Sequence, residues 1–343
     1  MMDQFSKLSD SKEKDRISNL PDAILSHILC FMPTKYAART SLLSTRWKSI
    51  WTSVHIIDLD SLGERCHNEQ SSGFMDFVDR LLLLRNSENL NKFRLQCRYG
   101  FFSKSHGPPS SFIDILDDDS FQNILSGCPV LEELDIERTD LGDNIKTLCI
   151  CSSTLKKLRI YNCFVRVTSL QHSLVIKAPV LEIFQLDDMY SVFDVDELPS
   201  LVKVNFTIYF DDDRSKDYYN GVVGMLGKIS KVQHLELRHV IPKGHKNWQL
   251  CLWSEEPETV PKCLSLCLEA IEFSGFAGYK GEMQLVRYLL GNAMVLKKLT
   301  ITSWTRNKKI KANVLKFPRG SSTCQLKLLY HSYPTYRKAV EWL

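Results

Sequence analysis

The sequence predicts an α/β solenoid, in which short parallel strands alternate with helices. An apolar pattern of the form L-x-x-L-x-L recurs eight times, which is typical of strands in a repeat array. The segment 15–54 instead has apolar residues at helical spacing. Of the 343 residues, 44% are hydrophobic and 24% are charged, as in globular proteins, so we expect a sizeable core.

Charge and hydropathy argue against several classes of protein. A net charge of +4 is too small to indicate a nucleic-acid or membrane-surface protein by itself. The start of the chain lacks the apolar run of a signal peptide, and the longest leucine run, Leu81–Leu84, is far too short for a membrane span. We therefore expect a soluble intracellular protein, in the cytoplasm or the nucleus, whose 11 cysteines are mostly reduced.

The segment 15–54, which follows a polar leader at residues 1–14, is predicted to form three short helices. Pro21 suits the first position of a helix, because its missing N–H would have no partner there. Pro33 disfavours helical backbone at the residue before it and so ends this helix. A second helix is predicted over Ala37–Leu43. The third is predicted from the helical spacing of four apolar residues, which are Trp47, Ile50, Trp51 and Val54.

The apolar residues of segment 15–54 leave two interpretations open. A unit of this size rarely folds alone without a metal ion or a disulfide. Either the unit docks on the rest of the chain, or another protein completes part of its apolar surface.

A series of positions within this unit carries a family resemblance. They are Leu20-Pro21-Asp22, Ile28-Leu29, Met32-Pro33-Thr34-Lys35, Ala37-Ala38-Arg39-Thr40-Ser41, Leu43-Ser44, Arg46-Trp47 and Trp51. The segment resembles the F-box motif, most closely its plant F-box/leucine-rich-repeat form. The resemblance implies a three-helix module that binds the Skp adaptor of an SCF ubiquitin ligase and, through it, the cullin and RING subunits. The predicted adaptor-binding residues are Leu20, Pro21, Ile24, Leu25, Ile28, Leu29, Leu42, Leu43, Trp47 and Trp51.

The eight apolar copies predict an irregular leucine-rich-repeat array over residues 55–252. They begin at Leu90, Leu131, Leu155, Leu181, Leu201, Val232, Leu268 and Leu296. The steps from Leu131 to Leu201 are 24, 26 and 20 residues, the spacing of leucine-rich repeats, whereas later steps are longer. The long step before Leu131 leaves open whether residues 98–120 form a repeat or a loop. An ordinary α/β domain with scattered amphipathic strands is the other interpretation.

The C-terminal region, residues 253–343, carries a second resemblance. Its blocks are Val260–Ser265, Glu282–Leu290, Asn292-Ala293, Leu296–Leu299 and Phe317–Gln325. In this order they resemble the FBD domain that follows such repeats. A helix over Met283–Asn292 and a strand over Leu296–Ile301 are predicted, so we expect a repeat-like unit that caps the array.

Motifs of catalysis and metal binding are absent from the sequence. It contains no His-Glu-x-x-His, Cys-x-x-Cys or Gly-x-Ser-x-Gly. Cys149-Ile-Cys151 and Cys263-Leu-Ser-Leu-Cys267 lack the spacing of a zinc site, and buried structural thiols are the favoured interpretation. We therefore expect no metal, no cofactor and no enzyme activity of the chain itself.

Alternation along the strands predicts which residues could contact a target protein. The residues between the apolar positions point away from the core. On two neighbouring strands they carry opposite charges, and the predicted target-binding residues are Glu133, Asp135, Lys157, Arg159 and Tyr161. Alternatively, these charged residues only pair with one another across the strands. A mosaic of both signs does not favour nucleic acid, which requires a continuous positive surface.

The resemblance and the repeats together predict a substrate-recognition subunit of an SCF-type ubiquitin ligase. In this interpretation the F-box binds the Skp adaptor and the repeats bind an unknown target protein for ubiquitination. The alternative is a scaffold or nucleic-acid-binding repeat protein without a link to a ligase.

Overall fold

The structure, a computed structural model, describes residues 16–60, 80–81, 83, 90–97, 118–139, 145–163, 173–188, 192–195, 198–209, 215–240, 259–303 and 308–330. The predicted leader at residues 1–14 and most of the 98–120 segment lie outside these ranges. Within them, a group of helices is followed by parallel strands that are joined by helices or by further strands. The predicted α/β architecture is confirmed.

The N-terminal module, residues 16–54, consists of α1 (Asp22–Leu29), α2 (Thr34–Arg39), a 3-10 turn (Thr40–Leu42) and α3 (Thr45–Thr52). A proline directly precedes each of the first two helices, and its fixed φ suits the entry to a helix. Because Pro33 sets the entry to α2, this helix begins before the predicted Ala37. It then tightens into the 3-10 turn.

The N-terminal module packs against the first strand, β1 (Ile56–Asp60). The Thr34 hydroxyl oxygen accepts a hydrogen bond from the backbone N–H of Asp58 at 2.8 Å. The buried side chains of the module belong to the same hydrophobic core as Ile57 and Leu59 of β1. These contacts agree with the interpretation in which the unit docks on the rest of the chain.

The strands that follow form one parallel sheet of ten strands, which are numbered in chain order. In the order of the sheet they are β1, β2 (Lys92–Cys97), β3 (Glu133–Thr139), β5 (Lys157–Cys163), β7 (Ile183–Asp188), β9 (Lys203–Tyr209), β10 (His234–Val240), β11 (Ala270–Phe276), β12 (Lys298–Ser303) and β13 (Gln325–Tyr330). Each of the eight apolar copies leads into one of the strands from β2 to β12. The copies therefore correspond to neighbouring strands of a single sheet.

Three connections between these strands contain a strand where a helix was predicted. These are β4 (Thr147–Cys151), β6 (Ser173–Lys177) and β8 (Val192–Val195), which form a second parallel sheet. The prediction of a helix in every repeat is therefore wrong here, because strict alternation of buried and less buried residues in β4 and β6 favours strands. Other connections contain α4 (Asp118–Ser126), α5 (Ser215–Lys228), α6 (Lys262–Leu266), α7 (Lys280–Asn292) and α8 (Lys308–Leu315).

The strands on either side of the long 98–120 segment are direct neighbours. Lys92 of β2 lies beside Glu133 of β3, and the two strands stay in parallel register along their length. No further strand can therefore lie between them in the sheet. The end of the segment begins α4, where the Asp118 carboxylate accepts hydrogen bonds from the backbone N–H groups of Lys146 at 2.8 Å and Thr147 at 3.2 Å.

Alternate residues of the large sheet are buried in one continuous core. Leu158 and Ile160 of β5 are buried, for example, while Arg159 between them is only partly covered. Phe184 and Phe206, on the neighbouring strands β7 and β9, pack edge to face with their ring centroids 6.0 Å apart. This side of the sheet, the smaller sheet and the helices thus share one core.

A buried carboxylate joins the C-terminal region to the repeats. Glu282, in the first turn of α7, accepts hydrogen bonds from the backbone N–H groups of Gly278 at 2.6 Å, Tyr279 at 2.8 Å and Ala277 at 3.1 Å. The same carboxylate contacts Nδ1 of His239 on β10, and both side chains are fully buried. Together with the pairing of β10 and β11, this contact attaches the C-terminal strands to the array.

Candidate functional site

Four of the predicted adaptor-binding residues lie in the core. Leu25 and Leu29 of α1 are buried, as are Trp47 and Trp51 of α3. Side chains that are already covered by their own module cannot contact a partner. This corrects the prediction for these four residues, which hold the helices of the module together.

The other predicted apolar residues of the module lie at its surface. Ile24 and Ile28, one turn apart on α1, are 48% and 43% exposed, while Leu42 and Leu43 of the 3-10 turn region are 87% and 69% exposed. We call these four residues the apolar face. Pro21 is also exposed, and Leu20 is half-buried.

Three further exposed apolar residues of the module were not predicted. They are Ile17, Phe31 and Tyr36. Phe31 could have been found from the sequence, because it lies three residues after Ile28 and so continues the same helical spacing. Its ring also packs edge to face on His27, with 5.0 Å between the centroids.

Arg46 fixes the position of the residues that begin the module. Its guanidinium donates a hydrogen bond to the Leu20 carbonyl at 2.5 Å and another to the Ser18 carbonyl. Its Nε also donates to the Asp22 carboxylate at 2.8 Å. One planar cation with several donors thus attaches segment 18–22 to α3. The sequence pattern contained Arg46 but did not indicate this role.

The predicted target-binding residues occupy the exposed face of two neighbouring strands, β3 and β5. The Glu133 carboxylate lies between two ammonium groups, at 2.6 Å from Lys157 Nζ and 3.0 Å from Lys92 Nζ. Arg159 Nε lies 3.9 Å from the Asp135 carboxylate, a longer and weaker contact. We call Lys92, Glu133, Asp135, Lys157 and Arg159 the charged patch.

The two carboxylates of the charged patch have pKa values that are shifted in opposite directions. Burial favours the neutral form of Glu133, but hydrogen bonds from Lys157 and Lys92 outweigh it and lower its pKa below the ordinary value. Burial raises the pKa of Asp135 above its ordinary value, even though Arg159, Lys92 and Arg94 oppose this shift. The neighbouring cations therefore compensate the burial of Glu133 better than they compensate that of Asp135.

Tyr161 borders the charged patch on β5. Burial raises the pKa of its hydroxyl, so the ring stays neutral. The hydroxyl oxygen accepts a hydrogen bond from Gln185 Nε2 at 2.5 Å. Cross-strand pairing, the alternative for these residues, is thus present in the structure. The contact between Arg159 and Asp135 is the longest of the three ion pairs named above.

The cysteines differ from the prediction of buried thiols. Cys263 is buried, and burial raises its pKa to about 11, but Cys267 is only partly covered. Cys151 is exposed and Cys149 is partly exposed. Across the part of the chain that is described, no cluster of three or more His, Cys, Asp or Glu side chains could hold a metal ion. Among the described helices, none has the length and hydropathy of a bilayer-spanning segment.

Three family models match the chain, in the order that the sequence predicts. The F-box domain model matches residues 17–59 and the FBD model matches residues 255–301. A model of the leucine-rich repeats of the FBD-associated F-box protein At5g56370 matches residues 113–204. The F-box match covers the N-terminal module, and the repeat match covers the charged patch except for Lys92.

Proteins of Arabidopsis thaliana are similar to the chain over different lengths. The F-box/FBD/LRR-repeat protein At5g56810 is 26% identical, over 94% of this chain and 98% of the relative. The F-box protein At3g58950 is 32% identical, over 59% of this chain and 51% of the relative. The F-box/LRR-repeat protein At3g59190 is 44% identical over 102 residues, which make up 28% of this chain and 26% of the relative.

Proposed function

The chain belongs to the plant F-box/FBD/leucine-rich-repeat family, and from this premise we propose that it is a substrate-recognition subunit of an SCF-type ubiquitin ligase. The N-terminal module binds a Skp adaptor, which links it to the cullin and RING subunits. The large sheet binds a target protein. The adaptor role follows from the F-box itself, whereas the ligase role and the target contact are our proposals.

The observation that carries the proposal is the apolar face. Four large aliphatic side chains, two of them more than two-thirds exposed, belong to this one small module. Isolated exposed aliphatic residues need no explanation, but a group of them on one small unit is typical of a protein-binding surface. The buried leucines and tryptophans beneath keep the helices fixed, so little conformational entropy is lost when a partner binds.

Ile28→Asp tests the adaptor contact in the full-length chain. Ile28 is partly exposed, so the change should leave the module folded, but in a complex it would bury an unpaired carboxylate. We expect the affinity for a purified Skp adaptor to fall by at least about tenfold in titration calorimetry. The matched control is Leu266→Asp, which makes the same kind of change at an exposed residue of α6.

Two results would contradict the adaptor proposal. Unchanged adaptor affinity in Ile28→Asp would show that the contact lies elsewhere. An equal loss in Leu266→Asp would show that the effect does not depend on the apolar face. Circular dichroism of each variant separates loss of binding from loss of folding.

We further propose that the chain contributes proximity and no bond-making group. In that case it brings the target close to a conjugating enzyme held elsewhere in the complex. The purified chain with activating and conjugating enzymes should form no thioester with ubiquitin. Transfer to a target should require the adaptor, cullin and RING subunits together. A ubiquitin thioester on the chain alone would overturn this part of the proposal.

The charged patch supports the proposal of a target contact. Arg159 is 39% exposed and lies beside the Asp135 carboxylate of the neighbouring strand, so its side chain can reach a partner's surface. Charges of both signs select a partner with the matching pattern and reject like-charged surfaces. The patch is therefore suited to a protein surface with a complementary charge pattern.

Charge reversal tests the target contact. The double variant Lys157→Glu with Arg159→Glu should still bind the adaptor but should lose its target proteins. Proximity labelling of the intact protein under proteasome inhibition measures this loss. The matched control is Lys298→Glu with Lys327→Glu, which makes the same charge change at exposed residues of β12 and β13. Equal losses in both double variants would refute a specific role of the patch.

Nucleic-acid binding is the second candidate, and the alternating signs of the patch argue against it. A nucleic-acid site would bind random-sequence DNA tightly at low salt, with affinity that falls steeply as salt rises. We expect no such binding by the full chain. Salt-sensitive binding of random DNA would favour this second candidate over the ligase proposal.

A further inference from the structure

Two thiols lie side by side on the exposed side of β4. Leu148 and Ile150 of this strand are buried, so the strand cannot rotate about its axis without exposing them. The residues between and after them, Cys149 and Cys151, therefore point to the opposite side. Their Sγ atoms are 3.5 Å apart.

Contacts with neighbouring elements hold this pair of thiols in place. Gln122 Nε2 of α4 donates a hydrogen bond to the Cys149 carbonyl at 2.6 Å. The Asp118 carboxylate of the same helix binds the backbone N–H of Thr147 at the start of the strand. These two contacts hold the backbone of β4, so the two cysteines keep their positions on the strand before any ligand arrives. Such preorganisation lowers the entropic cost of binding.

A lysine lies beside this pair of thiols on the neighbouring strand. Lys177 of β6 lies directly across from Cys151. Its charge opposes the effect of burial and of the Cys151 contact, which raise the pKa of Cys149. A positive group therefore accompanies the pair of thiols.

The separation of the sulfur atoms suits a bridging ion better than a disulfide. A disulfide requires an S–S distance of about 2.05 Å and Cα atoms no more than about 6.8 Å apart. Residues i and i+2 of an extended strand have Cα atoms separated by nearly this upper limit. Two thiolates bound to one tetrahedral ion at about 2.3 Å lie about 3.8 Å apart. The observed Sγ–Sγ distance of 3.5 Å would change little on binding an ion, but it would have to shorten greatly to form a disulfide.

We propose that Cys149 and Cys151 form a two-thiolate site for a soft, thiophilic metal ion. On binding, the two S–H groups release two protons and two metal–sulfur bonds form, without any change in oxidation state. Thiolates select soft ions over Mg²⁺ and Ca²⁺. Since no cluster of three or more such ligands occurs in the described ranges, the remaining positions of the ion take water or a ligand from outside this set of residues.

Cadmium titration of the full-length reduced chain tests the site, with Cd²⁺ as a soft probe whose thiolate bonds give a charge-transfer absorption. The chain has 11 cysteines, so the site is measured as a difference between variants. We expect Cys149→Ser and Cys151→Ser each to lose one strongly bound equivalent, with at least about tenfold weaker binding at that site in chelator competition. Mg²⁺ in excess should not compete. The control Cys267→Ser, another partly exposed cysteine, should keep the full signal.

Three results would overturn the proposal. The first is the same number of strongly bound ions in the wild type and in both serine variants. The second is an equal loss in Cys267→Ser. The third is a Cys149–Cys151 disulfide that forms in place of Cd²⁺ binding when oxidised glutathione and Cd²⁺ are present at equal concentrations. The pair of cysteines would then be a redox element. Matching thermal unfolding of all variants ensures that the comparison concerns binding rather than folding.

Discussion

Arg46 fixes the position of residues 18–22, which lie next to the proposed adaptor-binding surface, without being part of that surface. Hydrogen bonds that involve a charged group contribute about 1.5–3 kcal/mol, and less where solvent reaches them, as it does at Arg46 and Asp22. We expect Arg46→Ala to loosen segment 18–22 and to weaken adaptor binding by about tenfold in titration calorimetry. Asp22→Asn should have a smaller effect, because it leaves the two carbonyl contacts intact. Equal affinity of Arg46→Ala and the wild type would contradict this role.

Glu282 is the residue whose loss should reduce stability most clearly. Its buried carboxylate accepts three backbone N–H groups and contacts His239. Glu282→Gln removes the charge and places an amide N–H₂ among donors, so we expect a loss of about 2–4 kcal/mol in the free energy of unfolding by urea. Glu272→Gln, the same change at an exposed position of β11, should be neutral. Similar stability of the two variants would show that the buried contacts contribute little.

The sequence could identify the apolar residues of the N-terminal module but could not divide them between core and surface. Ile24, Leu25, Ile28 and Leu29 form a stripe too broad for one neighbour to cover. Which half is buried depends on where α3 and β1 pack, and helical periodicity carries no such information. The same reason explains why Trp47 and Trp51 were predicted to bind the adaptor and are in fact buried.

At the scale of elements, the strands of the large sheet could be predicted and the smaller sheet could not. The L-x-x-L-x-L copies mark strands with one fully buried side, whose signal is strong. The strands of the smaller sheet are only four or five residues long and lie in connections where helices are common. The alternation in Thr147–Cys151 was visible, but too short to distinguish from a turn of helix.

The turn between β11 and α7 requires glycine. Gly278 has a φ of 85°, and a Cβ there would lie 2.6 Å from Cδ1 of Ile310 on α8. We expect Gly278→Ala to lower the free energy of unfolding by about 1–3 kcal/mol. Gly224→Ala in α5, where a Cβ meets nothing within 4 Å, should instead raise it by about 0.5–1 kcal/mol. Chemical denaturation distinguishes the two signs, and a loss in both variants would contradict the steric argument.

For the molecule as a whole, one buried hydroxyl adds a hydrogen bond between the N-terminal module and the sheet to their shared hydrophobic core. Thr34→Val keeps the shape of the buried side chain but leaves the Asp58 N–H without its acceptor. We expect a loss of about 1–3 kcal/mol in the free energy of unfolding. Thr52→Val, at a hydroxyl that bonds only within α3, should cost less. Hydrogen exchange at the Asp58 amide should accelerate in Thr34→Val alone, and unchanged exchange would contradict this connection.

The order of the ten strands also sets a distance. Neighbouring strands lie about 4.8 Å apart, so β1 and β13 are separated by about 43 Å along the sheet. Each strand gained or lost changes the separation of the first and last strands by about 4.8 Å and rotates the last strand relative to the first by about 20–25°. In the proposed ligase role, relatives that differ in the number of copies would hold a target protein at different distances and angles from the adaptor. The number of copies would then decide which lysines of the target protein lie close enough to the conjugating enzyme that carries ubiquitin.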